Sequence, residues 1–303
     1  MTAAPARGGR DAVARLVDET PTPAPDAEIT RRRWKLASDL LADPTLLAEP
    51  EVVIPFMAWR GRTTLLAGRE KTAGKTTYAS TGAAKKSRGG LHCGCTLAPG
   101  RVLWTIAEGH VGDVLRPMAA AGADFDQIAV HDDLGLERLA IFEAQIADFA
   151  PDVVFVDTLA SFADDKIDDA FGSAKWVPIM NTLARIARDH ATAVVIIAHA
   201  RKSDGKVRDS SAIPAGVDMV LEMHEVENSP SARRIDARGR WPITGHTVQL
   251  DTGSYSLVQA GAVAIELKIV DFVRANPGAS KHRIRAAIGG KAEKVDSALT
   301  ELC

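Results

Sequence analysis

Gly74, Lys75 and Thr76 form the strongest chemical signal in the chain, because their types and order suit the binding of phosphate. They lie near the end of the segment Arg69, Glu70, Lys71, Thr72, Ala73, Gly74, Lys75, Thr76 and Thr77. In such a loop, backbone N–H groups and the N-terminus of the following helix point towards one anion. The lysine supplies a positive charge and the threonine a hydroxyl ligand for Mg²⁺. The sequence therefore predicts that residues 69–77 bind the phosphates of ATP and that Thr76 binds Mg²⁺.

The spacing of this loop departs from the usual pattern G-x-x-x-x-G-K-[ST]. Counting back from Lys75, the first glycine position holds Arg69, and Gly68 lies one residue earlier. The loop is therefore either expanded by one residue or lacks its first glycine. Alternatively, Gly-Lys-Thr occurs here by chance between an ordinary strand and helix, without binding phosphate. The motifs described in the next paragraphs argue against this alternative.

Three further side chains stand at the ends of apolar segments that read as strands. Asp157 ends residues 152–157, Glu108 follows residues 102–107, and His199 follows residues 193–198. The carboxyl ends of parallel strands share one edge of a sheet, so we expect all three beside the phosphate loop. Asp157 would support the metal and Glu108 would activate water as a general base. Alternatively, Glu108 caps a helix or faces solvent, and His199 is structural.

Short apolar runs alternate with helical segments from about residue 51 to 260, which predicts a parallel sheet with crossover helices. Strands are expected at 63–67, 101–107, 152–157 and 193–198, and helices from residue 75 and at 177–190. Shorter strands at 217–223, 231–237, 246–250 and 254–258 are expected to close the sheet edge. Residues 1–50 read as a mobile tail and lead-in helix, and residues 261–303 as a small helical module.

The composition limits the function classes. There are 37 basic and 39 acidic residues, so a strongly basic coat protein is excluded and any nucleic-acid contact must be local. The three cysteines, and an N-terminus without an apolar leader, predict a cytoplasmic protein. No apolar run approaches the roughly 18 residues that span a bilayer, so no membrane partner is expected.

The motifs in this order resemble the RecA-like ATPases, especially hexameric replicative helicases of the DnaB and RepA type. The resemblance covers about residues 53–258 and implies an α/β RecA-like P-loop NTPase fold, with a mainly parallel sheet and antiparallel edge strands. Residues 207–218 are similar to the helicase segment L-R-E-S-G-x-I-x-x-x-A-D. Residues 235–242 loosely resemble the K-x-R-x-G segment, which implies that Arg240 is an arginine finger and that Arg238 replaces the lysine. Both would act on the neighbouring subunit's γ-phosphate, or else they lie on a solvated edge strand.

Cationic loops fall where RecA-like motors contact single-stranded DNA. Their residues are Lys166, Arg201, Lys202 and Lys206. Small cationic loops suit tracking along a phosphate backbone, although solvated loop charge would look the same. Residues 261–303 resemble a winged-helix module, and the sequence ends where the wing would be expected to follow. His92, Cys93 and Cys95 do not supply the four ligands in suitable spacing that a structural zinc site needs.

These observations predict an ATP-hydrolysing, Mg²⁺-dependent motor, a hexamer acting on single-stranded DNA in replication or recombination. Two rivals stay open. One is a regulatory or loader ATPase that switches state without unwinding DNA. The other is a non-catalytic DNA-binding protein with a degenerate phosphate loop.

Overall fold

A mixed sheet of nine described strands forms the centre of the fold. The computed structural model describes residues 36–70, 73–106, 109–132, 139–159, 172–200, 212–227, 229–258, 269, 272–288, 295–296 and 299. The strands are β1 (Val52–Ile54), β2 (Ala58–Trp59), β3 (Thr63–Gly68), β4 (Gly90–His92), β5 (Cys95–Leu97), β6 (Val102–Ile106), β7 (Ile128–His131), β8 (Val153–Asp157), β9 (Ala193–His199), β10 (Met219–Val226), β11 (Ser229–Gly239), β12 (His246–Asp251) and β13 (Ser254–Val258). The helices are α1 (Ala37–Leu41), α2 (Lys75–Arg88), α3 (Val111–Ala120), α4 (Leu139–Phe149), α5 (Gly172–Asp189), α6 (Ala212–Ala215) and α7 (Lys281–Ile288).

The sheet has the order β13-β12-β11-β10-β3-β9-β8-β6-β7. From β10 to β7 neighbouring strands are parallel, and from β10 to β13 they are antiparallel. The prediction of a mainly parallel α/β sheet with antiparallel edge strands is therefore confirmed. The expected edge strands at 217–223, 231–237, 246–250 and 254–258 correspond to β10–β13.

Helices cover both faces of the parallel part, which explains why its strands are continuous apolar runs. Along β3, Leu66 packs on one face with Tyr78 of α2, and Leu65 packs on the other with Leu183 of α5. Successive side chains of a strand point to opposite faces of the sheet, so neighbouring residues of β3 belong to two different hydrophobic cores. Burial of both cores fixes the register of the strands, because a slip of one residue would exchange the two faces.

The register brings the ends of the chemically important strands to one edge. Gly68 at the end of β3 pairs with His199 of β9, and Asp157 at the end of β8 pairs with Ile197. Ile106, the last residue of β6, pairs in turn with Asp157. The sheet thus aligns the phosphate-loop strand with the strands that carry His199 and Asp157.

Several small elements did not follow from the sequence pattern. β7 is a half-buried edge strand, and β4 and β5 form a hairpin whose turn contains Cys93 and Gly94, both with positive φ. Helix α5 begins at Gly172, five residues before the expected start. The helix therefore contains Pro178 in its interior, a position that proline normally disfavours.

The chain divides by its internal contacts into residues 1–48 and residues 49–303. Within the first unit, α1 and a 3₁₀ turn (Pro44–Leu47) expose several leucines. Within the second, Ile269, Ile284 and Val295 form a small apolar cluster of their own. The expected boundaries at 50 and 260 and the winged-helix-like module stay predictions.

Candidate functional site

The side chain of Lys75 contacts the end of β3 and the residue that follows it. The Lys75 Nζ donates hydrogen bonds to the carbonyl oxygens of Gly68 at 2.9 Å and Arg69 at 3.0 Å. The side chain is drawn inward at the first turn of α2, and Lys75 is only 5% exposed. An ammonium group and the N-terminus of a 14-residue helix thus converge on one place.

Two glycines shape this loop for different reasons. Gly74 precedes α2 with a φ of 74°, a conformation that side-chain-bearing residues rarely adopt. Gly68 has no room for a side chain, since a Cβ there would lie 2.8 Å from both the Met223 oxygen and the Ala73 Cβ. Gly68 therefore fills the role of a loop glycine one residue early, which favours the expanded-loop interpretation over a missing first glycine.

Burial controls the charge of Lys75. It lowers the pKa of Lys75 to about 8, and the carboxylates of Asp157 and Glu70 only partly oppose this effect. The His199 Nδ1 lies 3.5 Å from the Lys75 Nζ. A buried ammonium whose negative neighbours only partly offset its burial favours the approach of an anion, because the anion would restore its charged form.

Thr76 and Asp157 form the oxygen-rich corner of the site. The Thr76 Oγ1 donates a hydrogen bond to the Asp157 Oδ2 at 3.2 Å, and Asp157 is buried at the end of β8. Mg²⁺ is usually held by one or two protein oxygens together with substrate phosphates and water. A hydroxyl and a carboxylate next to a phosphate-binding lysine fit that requirement.

These side chains line a cavity of about 290 Å³. This volume is close to the lower end of the roughly 300–1,000 Å³ that small-molecule sites occupy. Its lining residues are Glu70, Gly74, Lys75, Thr76, Thr77, Gly109, His110, Asp113, Val114, Asp157, Thr158, Ile197 and His199. The structure thus brings together several side chains predicted for the site: Glu70, Lys75, Thr76, Thr77, Asp157 and His199.

Arg233 supports the loop from the antiparallel part of the sheet and was missed by the sequence reasoning. Its Nε donates to the Ala73 oxygen at 2.9 Å, and its Nη1 donates to the oxygens of Pro230 and Ala232, both at 2.7 Å. A Cβ at Gly74 would lie 3.3 Å from this Nε. An arginine in an alternating strand reads as solvent-facing, so only the pairing of β11 could have revealed it.

Arg238 and Arg240 lie near the level at which β3 begins, whereas the phosphate loop follows the end of β3. Arg238 pairs with Glu222 at 2.9 Å, and the Arg240 Nε pairs with the Asp218 Oδ1 at 3.0 Å. Gly239, which precedes Arg240, is aligned through Met219 with Thr64 near the start of β3. At about 3.3 Å per residue, this level is about 13 Å along the strand from Gly68. The two arginines are therefore separated from the phosphate loop of their own subunit.

Several predicted residues lie outside the described part of the chain: Lys71, Thr72, Glu108, Lys166, Arg201, Lys202 and Lys206. His92 and Cys93 are buried on the β4–β5 hairpin, and burial lowers the pKa of His92 to about 4. Among the described residues, no cluster of three or more His, Cys, Asp or Glu is placed to hold a metal. Within the same residues, no helix combines the length and apolarity that crossing a bilayer requires.

Comparisons with known proteins agree with this geometry. A family profile described as AAA domain (AAA_25) matches residues 30–205, whereas no curated protein matches the chain. One solved structure, described as an ATPase domain, is similar with a TM-score of 0.54 and 13% identity over 66% of this chain and 86% of that one. A KaiC-like protein from Pyrococcus horikoshii OT3 gives a TM-score of 0.52 and 19% identity over 68% of this chain and 93% of that one. The chain therefore belongs to the AAA domain family and has the fold of the RecA-like P-loop ATPases, as predicted.

Proposed function

We propose that this chain is an ATP-hydrolysing motor that acts on single-stranded DNA as a hexamer in replication or recombination. The observation that carries the proposal is the convergence of Lys75, Thr76 and Asp157 in one cavity at the carboxyl edge of the sheet. A nucleoside triphosphate and its metal fit this arrangement. The buried ammonium and the helix N-terminus suit the phosphates, and the two oxygen ligands suit the metal. Family membership supports nucleotide binding. The proposal of a DNA-dependent motor is supported by the individual residues discussed below.

Each site residue has a role that follows from its place. Lys75 binds the β- and γ-phosphates, and Thr76 and Asp157 hold Mg²⁺. The metal supplies positive charge that stabilises the negative charge developing on the transferred phosphoryl group. His199, next to Lys75, senses the γ-phosphate at the end of β9. Glu108 accepts a proton from the attacking water, and it follows β6, whose last residue pairs with Asp157.

The position of the two arginines supports the proposed hexamer. Arg240 and Arg238 stand too far along the sheet to reach the phosphates of their own subunit, so they act on a neighbour's. An arginine supplied to a phosphoryl-transfer site in this way is worth roughly 10³- to 10⁵-fold in rate. A head-to-tail interface of this kind forms a ring when the rotation between subunits closes. The resemblance to hexameric helicases then suggests six subunits.

The proposed DNA contact is coupled to the nucleotide by chain connectivity. Lys166 lies beyond β8, which ends at Asp157, and Arg201, Lys202 and Lys206 follow β9, which ends at His199. Segments that extend directly from nucleotide-contacting strands can change with the nucleotide state. Cationic groups on them would bind the phosphate backbone without reading its sequence.

Steady-state ATP hydrolysis with Mg²⁺, with and without single-stranded DNA, tests the proposal. The wild type should turn over faster with DNA, and Lys75→Ala and Glu108→Gln should both abolish turnover. Lys85→Ala removes a lysine from the last turn of α2 and serves as the matched control.

Each outcome has a distinct meaning. Unwinding of forked DNA would identify a helicase, whereas DNA-stimulated turnover without unwinding would identify a translocase. A rate of ATP hydrolysis that does not change when DNA is added would favour a regulatory or loader ATPase. If the wild type neither hydrolyses nor binds ATP, the phosphate loop is degenerate and the motor proposal is wrong.

A further inference from the structure

Asp218 connects the start of the phosphate-loop strand to the strand before the predicted finger. It directly precedes β10, and its side chain is 15% exposed. The Asp218 Oδ2 accepts hydrogen bonds from the Thr63 N at 2.9 Å and from the Thr63 Oγ1 at 3.0 Å. The Asp218 N donates back to the Thr63 Oγ1 at 3.1 Å. The first residue of β3 is therefore tied to Asp218 by both backbone and side chain.

The other carboxylate oxygen of Asp218 faces Arg240. Its Oδ1 lies 3.0 Å from the Arg240 Nε, and the Arg240 N donates to the Asp218 carbonyl oxygen at 3.0 Å. The Arg240 side chain is nevertheless 70% exposed. The ion pair therefore leaves most of the Arg240 side chain exposed, and a guanidinium binds phosphate oxygens well.

We infer that Asp218 is a positioning residue that holds Arg240 ready for the neighbouring subunit's nucleotide and links it to β3 of its own subunit. The inference rests on the proposed function, since it requires Arg240 to act between subunits. Thr63 begins the strand that ends at Gly68, so one rigid strand separates Arg240 from the loop that binds ATP in the same subunit. Asp218 is thus the junction through which two successive sites of the ring would be coupled.

Because the Arg240 side chain is largely exposed, its ion pair with Asp218 adds little stability by itself, and pairs on the surface are typically worth about 0.2–1 kcal/mol. The value of this pair lies in orientation. A misplacement of about 1 Å at a reacting centre can cost about 100-fold in rate. An arginine on a long, exposed side chain loses that precision when its Nε anchor is removed.

Asp218→Asn tests the inference, because asparagine keeps an oxygen for Thr63 but removes the charge opposite Arg240. We expect kcat for ATP to fall about 100-fold while KM stays within about twofold. The matched control is Asp251→Asn on β12, where the aspartate pairs with Arg274 at 3.3 Å outside the segment 235–242. It should leave both constants within about twofold, since this is an exposed pair.

Rings that contain two kinds of variant subunit can show whether Asp218 acts on the neighbouring subunit or only stabilises its own. Glu108→Gln subunits keep Asp218 and Arg240 but cannot activate water, whereas Asp218→Asn subunits keep an intact nucleotide loop. Mixed rings should therefore regain turnover above the sum of the two separate variants. Damage that Asp218→Asn did to its own loop would not be repaired by a neighbour.

The same mixture with Arg240→Ala tests the proposed function independently. If Arg240→Ala regains turnover on mixing and Asp218→Asn does not, the inference is wrong and the proposed finger stands. If neither regains turnover, both fail. Wild-type kcat for Asp218→Asn also overturns the inference. Should Asp218→Asn melt below the assay temperature, Asp218→Glu keeps the charge one methylene further out, and the same fall in kcat at constant KM is expected.

Discussion

Replacing Lys75 with methionine should make the protein more stable while removing its affinity for ATP. Lys75 is 5% exposed, and burial lowers its pKa from 10.5 to about 8. Methionine has a similar length and no charge, so it can occupy the same buried position without the free-energy cost of burying an ammonium group. A residue whose removal stabilises the fold is retained for function, which is the conflict expected at a binding site.

The size of the effect follows from the pKa. At about 1.36 kcal/mol per pKa unit, lowering it from 10.5 to about 8 destabilises the folded state by about 3 kcal/mol at neutral pH. The substitution also removes the hydrogen bonds to Gly68 and Arg69, although the Gly68 oxygen still accepts from the Ala200 N at 2.9 Å. Allowing about 1 kcal/mol for this loss leaves a net gain of about 2 kcal/mol.

The dependence on pH gives the sharper test. The destabilisation by Lys75 is present in full below about pH 8 and is relieved as the pH rises towards 10.5. At about pH 9.5 only about 1.4 kcal/mol of it remains, so the gain should shrink by about 2 kcal/mol between pH 7 and 9.5. Lys75 itself loses its proton over this range, and any weakening of its hydrogen bonds is already contained in its folded-state pKa, so the comparison needs no separate correction for them.

Urea unfolding of the nucleotide-free protein, followed by circular dichroism at both pH values, measures the difference. Lys85→Met on the same helix is the control. The Lys85 Nζ donates to the Ala121 oxygen at 2.8 Å on a half-buried side chain, so its removal should not increase stability. A Lys75→Met variant that is no more stable than the wild type at pH 7, or whose gain is the same at both pH values, would refute the reasoning.

Three further substitutions test the site, with Thr76→Ser as a control. Asp157→Asn should raise the Mg²⁺ concentration for half-maximal turnover about 10- to 100-fold, and Thr76→Ser should not, because it keeps the hydroxyl. Gly74→Ala should cost about 1–2 kcal/mol in urea unfolding because of its φ of 74°, and should weaken ATP binding measured with a fluorescent analogue. Arg233→Met should raise KM for ATP about tenfold with little change in kcat, because the charged hydrogen bond to Ala73 that it loses is worth about 1.5–3 kcal/mol. Equal KM values for Arg233→Met and the wild type would show that Arg233 does not hold the loop.

The part of the site that lies along the parallel strands was predictable from the sequence. Gly74, Lys75 and Thr76 follow one apolar strand, while Asp157 and His199 stand at the ends of two others. Since parallel strands end at a common edge, their order along the chain was enough to expect them together. The structure places Lys75, Thr76, Asp157 and His199 around the same cavity.

The contacts that come from the antiparallel strands were not predictable in the same way. Arg233 reaches Ala73 across 160 residues of sequence, and this contact depends on the pairing of β11 with β10 and of β10 with β3. The register of a hairpin is set by packing and turn geometry, which a pattern of alternating residues does not specify. The irregular loop spacing was likewise ambiguous until the close packing around Gly68 was known.

The antiparallel strands therefore support the phosphate-loop segment and do not merely close the sheet. The family profile ends at residue 205, yet Asp218 and Arg233 both lie beyond it. Arg233 holds the loop at Ala73, and Asp218 holds the first residue of the strand that leads into that loop. Both ends of the segment 63–73 are thus fixed by residues from the same later part of the chain.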